Sequence, residues 1–338
     1  MAWLTGLPLA VDLVLGTTLL WLAWRALSSP DLFQAVALFI AFGVILGLVW
    51  ARLDTIDIAL AEIALGAGVT GALLLAALSQ LQPAEVDARA APSATGANEH
   101  QAGQPGQTAE TADADEAQHK PAVFRALLAA VMGLLLLAAL FGLGLVTWQL
   151  WEPSSGLTQQ VNTHLPESGV EHPVTAVLLN FRGYDTLLEI AVLLLALIGV
   201  WSLATASNLG DTTPEPVLAA LSRLLAPLMI LVAAYLVWVG AHAPGGAFQA
   251  GSVLGAAGVL LRLSGWRLPA GAAGWPLRLV LALGVAVFAF IGIAVIGLGE
   301  PLLGYPTAWA KHAILVIELA ATLSIGAILA SLFIGGRP

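Results

Sequence analysis

Four acidic residues, Asp12, Glu62, Glu189 and Glu318, stand inside long apolar runs of this sequence. A carboxylate surrounded by hydrocarbon is costly unless it is neutralised, paired or hydrated, so each is a candidate functional group. Burial favours the protonated form of a carboxyl and a nearby cation favours the charged form. Proton or sodium exchange needs that balance. The alternative is a carboxyl bonded to a serine, a threonine or the backbone of a neighbouring helix, serving assembly. Glu62, Glu189 and Glu318 are read as ion-handling groups. Asp12, about one turn into its helix, suits an interfacial or first-turn role.

Other polar residues cluster around these acids. Lys311 and His312 open the run that bears Glu318. Lys311 lies two turns earlier on the same face, placed for a relay through water or for snorkelling to the headgroups. Arg182 and Asp185, three apart, can pair locally at a helix start or set the electrostatics of Glu189. His242, ahead of Pro244-Gly245-Gly246, reads as a loop histidine.

The elements that must position these groups are hydrophobic helices. The chain has 338 residues, 59% hydrophobic and 10% charged, against roughly a quarter charged in a soluble domain. The apolar runs are continuous and about 20 residues long, the length of a membrane-spanning helix, without the alternation of a membrane barrel. The fold class is therefore all-α: a polytopic membrane protein with about nine transmembrane helices. The expected spans are Pro8–Leu27, Leu32–Ala51, Ile58–Leu78, Val123–Gln149, a stretch from Val174 to Ala206, Val217–Gly240, Phe248–Leu263, Leu277–Leu298 and Lys311–Phe333. The stretch from Val174 exceeds one crossing, so a break is expected near Arg182-Gly183. A tight Pro/Gly loop is expected over Ala241–Gln249.

From Gln82 to Pro121 the composition turns to Ala, Gln, Thr, Pro, Gly and acidic residues, too poor in apolar side chains to fold alone. This reads as a disordered linker, and it carries much of the net charge of -9. With the N-terminus outside, nine of the twelve Lys and Arg residues fall on the inner side. The positive-inside rule then places the linker and C-terminus in the cytoplasm. No phosphate-binding loop or His/Cys metal spacing is present, and there is no cysteine. No cofactor, metal or nucleic-acid partner is expected, and catalysis by this chain alone is not expected.

Three motifs resemble known modules. LDTIDIALAEIALGAGVTGALLLAAL resembles the MbhD-type module of membrane-bound hydrogenases and of the large Mrp antiporter subunit. VTAVLLNFRGYDTLLEIAVLLLALIGVWSL resembles the MbhE-type module that follows it there. GAHAPGGAFQAGSVLGAAGVLLRLSG, with ILVIELAATLSIGAILASLF, is similar to the MnhB-type subunit of Mrp sodium/proton antiporters. The resemblance implies residues 1–81 as a three-helix module, 82–121 as linker, 122–210 as a two-helix module and 211–338 as a four-helix domain. It implies a subunit of an Mrp-type Na+/H+ antiporter, or of the related membrane arm of a hydrogenase or respiratory oxidoreductase. Other subunits of such a complex would be its partners, in the bacterial or archaeal cytoplasmic membrane. Matching motif positions are Asp57 and Glu62, then Asp185 and Glu189, then His242, Pro244, Gly245, Gly246, Phe248 and Glu318. Two departures stand out: PGGAF replaces PGGGF, and Ala250-Gly251 replaces Gly-Gly. A methyl at Ala247 is expected to restrict that loop. The large antiporter-like domain of the family is missing, which implies a connecting or sodium-path subunit.

Overall fold

The computed structural model describes residues 2–78, helical residues scattered between 131 and 145, and residues 156–203 and 216–335. The expected linker 82–121, and most of the expected span Val123–Gln149, lie outside the described residues. Every regular element among those described is helical. The main ones, in chain order, are α1 (Ala2–Ser28), α2 (Leu32–Arg52), α3 (Ile56–Leu78), α4 (Thr158–His164), α5 (Pro173–Ala176), α6 (Gly183–Leu203), α7 (Pro216–Val239), α8 (Ala247–Leu263), α9 (Trp275–Ala294) and α10 (Ala310–Ile334). Seven helices are long and apolar enough to cross a membrane among the described residues, while α8, with 17 residues, is shorter. The chain is a multi-pass membrane protein; the count of nine spans goes beyond the described residues.

The organising element is α10. Of its most apolar window 67% is buried, against 6–28% for the other six candidate spans. Its Ala, Ser and Gly residues allow neighbours to approach closely. Helix α8 packs along it through Gly251-x-x-x-Gly255. A Cβ on Gly251 would stand 2.7 Å from Ile325 Cγ2, and one on Gly255 would stand 2.9 Å from Leu329 Cβ. Helix α9 packs on another face, where Ser324 donates a 2.6 Å hydrogen bond to the Leu281 carbonyl. Ser324→Ala removes this bond between helices and should cost about 0.5–2 kcal/mol, read as a lower unfolding midpoint of the purified chain in detergent. Phe288, Ile190, Ile314, Ile317 and Ile325 form the centre of the core. Outward faces remain strongly apolar, as at Leu188, Val192 and Leu195 on α6 and Leu224, Leu228 and Leu231 on α7. Exposed patches of that kind suit lipid or partner helices.

Two helices depart from α geometry beside the polar residues. Helix α3 widens into a π-helical turn over Glu62–Val69, a distortion that often marks functional sites. The expected break in the stretch from Val174 is present. Helix α5 passes into a π turn at Val177–Phe181, and Arg182 leaves helical geometry (φ -130, ψ 35) before α6 begins. Thr186 reaches back across the break and donates a 2.6 Å bond to the Leu178 carbonyl. A broken helix at membrane depth needs this kind of substitute partner.

Two local expectations are corrected. Helix α1 begins at Ala2, so Asp12 lies well inside it and not one turn from its start. Its carboxylate pairs at 3.0 Å with Arg52, at the end of α2. The loop after α7 is shorter than expected, because α8 starts at Ala247. Gly246 makes the turn with φ +106, and a Cβ on Gly245 would come within 2.6 Å of the Leu236 carbonyl. Ala247 needs no such freedom: it is already helical, and its methyl is buried in the core.

Candidate functional site

The starts of α3, α5, α8 and α10 gather on one face of the bundle. Asp57 joins three of them. Its Oδ1 accepts the Gly245 amide at 3.0 Å, and its carbonyl accepts Gln249 Nε2 at 3.3 Å. Its Oδ2 lies 3.4 Å from His172 Nε2. The amides of Glu171 and His172 both donate to the Ala241 carbonyl, at 2.9 and 3.1 Å. Thr175 Oγ1 donates to the Gly240 carbonyl at 2.6 Å and lies 3.4 Å from His172 Nδ1. At the start of α10, Lys311 Nζ is 3.4 Å from His242 Nε2.

Below this ring of polar contacts lies a cavity of about 270 Å³. Its polar lining comes from Asp57, Thr175, Thr186, Glu189, Gln249 and Glu318, and its apolar lining includes Leu178, Leu179 and Phe248. That volume holds several water molecules, each with about 30 Å³ of liquid volume. Glu318 enters from α10 and is 2% exposed. It sits eight residues into the helix, about 12 Å from its start at 1.5 Å per residue. Its Oε1 packs against the backbone of Gly246 and Gly240, where a Cβ would stand 3.0 and 3.3 Å from it. Its Oε2 is buried without a hydrogen-bond partner among the described residues. Glu189 lines the same cavity from α6, on the exposed side of the chain taken alone.

Of the expected site residues, the structure brings together Asp57, Glu189, Glu318, Gly245, Gly246 and Phe248. Glu62 stands apart from that lining, at the head of the π turn, with its carboxylate over Gly66. Asp185 pairs with Arg182 on the exposed surface of α6. Lys311 points to His242 and is not part of the cavity wall. Pro244 lies in the turn before Gly245. Sequence reasoning missed His172, Thr175, Thr186 and Gln249. Only Pro173, suited to the first position of a helix, marked the His172 region as a helix start.

Residues 17–83 match the MbhD family of MBH subunits, and residues 217–336 match MnhB, a domain related to the MnhB subunit of a Na+/H+ antiporter. The chain therefore carries an MbhD-like region and, after it, a domain related to MnhB. Two solved structures share its fold. A chain of the Mrp complex from Dietzia sp. DQ12-45-1b aligns with a TM-score of 0.66 at 19% identity, over 96% of this chain and 34% of that one. A chain of the membrane-bound sulfane sulfur reductase, an archaeal respiratory membrane complex, aligns with a TM-score of 0.53 at 23% identity, over 63% of this chain and 97% of that one. This chain thus spans about a third of the length of the Mrp-complex chain. No curated protein matches it. Within the matched regions, Asp57 and Ile58 of the MbhD module face Gly245–Gln249 and Glu318 of the MnhB domain across the cavity.

Proposed function

We propose that the chain is a subunit of a multi-subunit Mrp-type cation/proton antiporter, and that Glu189 and Glu318 carry its protons or cations through the shared cavity. One observation supports this most: two acids far apart in sequence, Glu189 and Glu318, line one cavity whose wall is mostly apolar. Acids in such surroundings mark ion pathways. Glu62, outside the pocket, would pass charge toward a neighbouring subunit, and the Arg182–Asp185 pair would shape the field near Glu189. Residues 122–210 would form an MbhE-like module. The bias of Lys and Arg places the N-terminus outside the cytoplasmic membrane and the C-terminus inside. The polar ring at Asp57 then faces outward. Transport, not catalysis, is the proposed role, with antiporter subunits as partners and Na+ and H+ as cargo.

Glu189→Gln tests the role. Exchange in inverted membrane vesicles should fall to background while the subunit remains in its complex; unchanged exchange would rule the role out. A second reading has its own support, because the likeness to the reductase chain covers 97% of that chain. In that reading the subunit belongs to the membrane arm of a redox-driven complex. Co-purification separates the two: antiporter subunits alone favour the first, and hydrogenase or reductase subunits favour the second.

A further inference from the structure

We propose that Gln249 is a cation ligand: its amide oxygen and the Glu318 carboxylate, both over Gly246, hold one alkali cation of the Na+ class at the cavity wall. The inference deepens the ion-path reading and rests on it. Gly246 locates the site. Apart from its chain neighbours, two atoms among the described residues lie within 4 Å of where a Cβ on Gly246 would stand. They are Glu318 Oε1 at 3.0 Å and Gln249 Oε1 at 3.8 Å. Both are oxygens, one from a carboxyl and one from a neutral amide. The other end of the Gln249 amide fixes this orientation: Nε2 lies 3.3 Å from the Asp57 carbonyl, an acceptor that only an N–H can satisfy. Glu318 is 2% exposed, and its Oε2 has no hydrogen-bond partner among the described residues.

The donors around this point are already spent. The Gly245 amide donates to Asp57 Oδ1 at 3.0 Å and the Gly246 amide to the Leu236 carbonyl at 2.9 Å. Thr175 and Thr186 each donate at 2.6 Å, to the Gly240 and Leu178 carbonyls. What these two hydroxyls can still offer is an oxygen lone pair. None of the residues lining the cavity is Lys, Arg or His, so the lining brings no fixed positive charge to Glu318. Oxygen ligands of this kind suit a hard cation, and they replace the water that the ion sheds. One carboxylate with one neutral amide matches a single positive charge. Of the other acids in the lining, Asp57 already faces Gly245 and His172, and Glu189 is not among the atoms within 4 Å of that point.

The test is the apparent KM for Na+ in exchange by inverted vesicles holding the full complex. Gln249→Leu removes the oxygen at nearly constant size. It should raise that KM about tenfold or more, the loss of one contact to a charged group, while the rate at saturating Na+ persists. Gln249→Glu keeps an oxygen at the site and loses the N–H that bonds Asp57, and it should recover most of the lost affinity. A structural role for Gln249, through that bond to Asp57, predicts that the two variants behave alike. Equal rises in KM, or an unaltered KM in Gln249→Leu whatever its maximal rate, would overturn the proposal. If Gln249→Leu does not accumulate in the complex, Gln249→Met takes its place with the same expected rise. Failure of both to accumulate would count against the proposal, since it would make the side chain structural. Should Glu189→Gln abolish exchange while Gln249→Leu keeps the unaltered KM, the site over Gly246 fails and the ion-path reading survives. Should Glu189→Gln leave exchange intact, the ion-path reading fails first.

Discussion

Glu318→Gln is expected to bring the proposed cation/proton exchange to background and to leave the subunit in its complex. The expectation follows from where this carboxyl sits. It is 2% exposed, in the most buried helix of the bundle, with one oxygen against the backbone of Gly240 and Gly246 and the other without a partner among the described residues. Leaving a buried carboxyl oxygen unsatisfied costs about 1–3 kcal/mol or more. On the proposed ion path, that cost in stability is offset by what the group does in exchange. Glutamine has nearly the same shape, so the close fit against the two glycines survives. What is lost is the ability to take up and release a proton or to offset a cation's charge. Exchange in inverted vesicles, with native gel electrophoresis to follow assembly, checks both halves. Full exchange by the variant would remove Glu318 from the ion path, and loss of the subunit from the complex would make it a structural residue.

Gly255→Leu is expected to destabilise the chain by about 3 kcal/mol or more, at the upper end of overpacking penalties. The first added carbon would already stand 2.9 Å from Leu329 Cβ and 3.2 Å from the Gly326 carbonyl. One of those is backbone and neither can retreat without parting the two helices. The contact is reciprocal, since a Cβ on Gly326 would stand 3.0 Å from Leu254. Helix α8 also begins at the glycine turn that packs on Glu318, so parting it from α10 would open the cavity. Thermal unfolding of the purified chain in detergent measures the effect. Gly199→Leu serves as the control: nothing lies within 4 Å of a Cβ there, and a surface change of this kind stays within about 0.5 kcal/mol. Equal shifts in the two variants would show that α8 and α10 do not depend on close contact.

What the amino-acid order alone determined was the helical membrane class, most of the spans, the break at Arg182 and the acids worth examining. Those properties are carried by composition and by runs of about 20 apolar residues, which need no knowledge of neighbours. The family motifs at Asp57 and Gly245-Gly246, which fall in the matched regions, were legible for a similar reason: each is a short local pattern. Which acids share a space was not local. Glu62 and Asp57 are five positions apart, yet the π turn carries Glu62 over Gly66 while Asp57 reaches the MnhB domain. Lys311 and Glu318 share a helix, yet the lysine meets His242 and the glutamate enters the cavity. His172 and Thr175 drew no notice because a lone histidine and threonine in a connecting segment carry no pattern. They gained chemical meaning only when packing laid the start of α5 beside the loop that ends α7. The tertiary structure decided the site because hydrogen bonds such as Asp57 to Gly245, between positions 188 residues apart, exist only after the helices have packed.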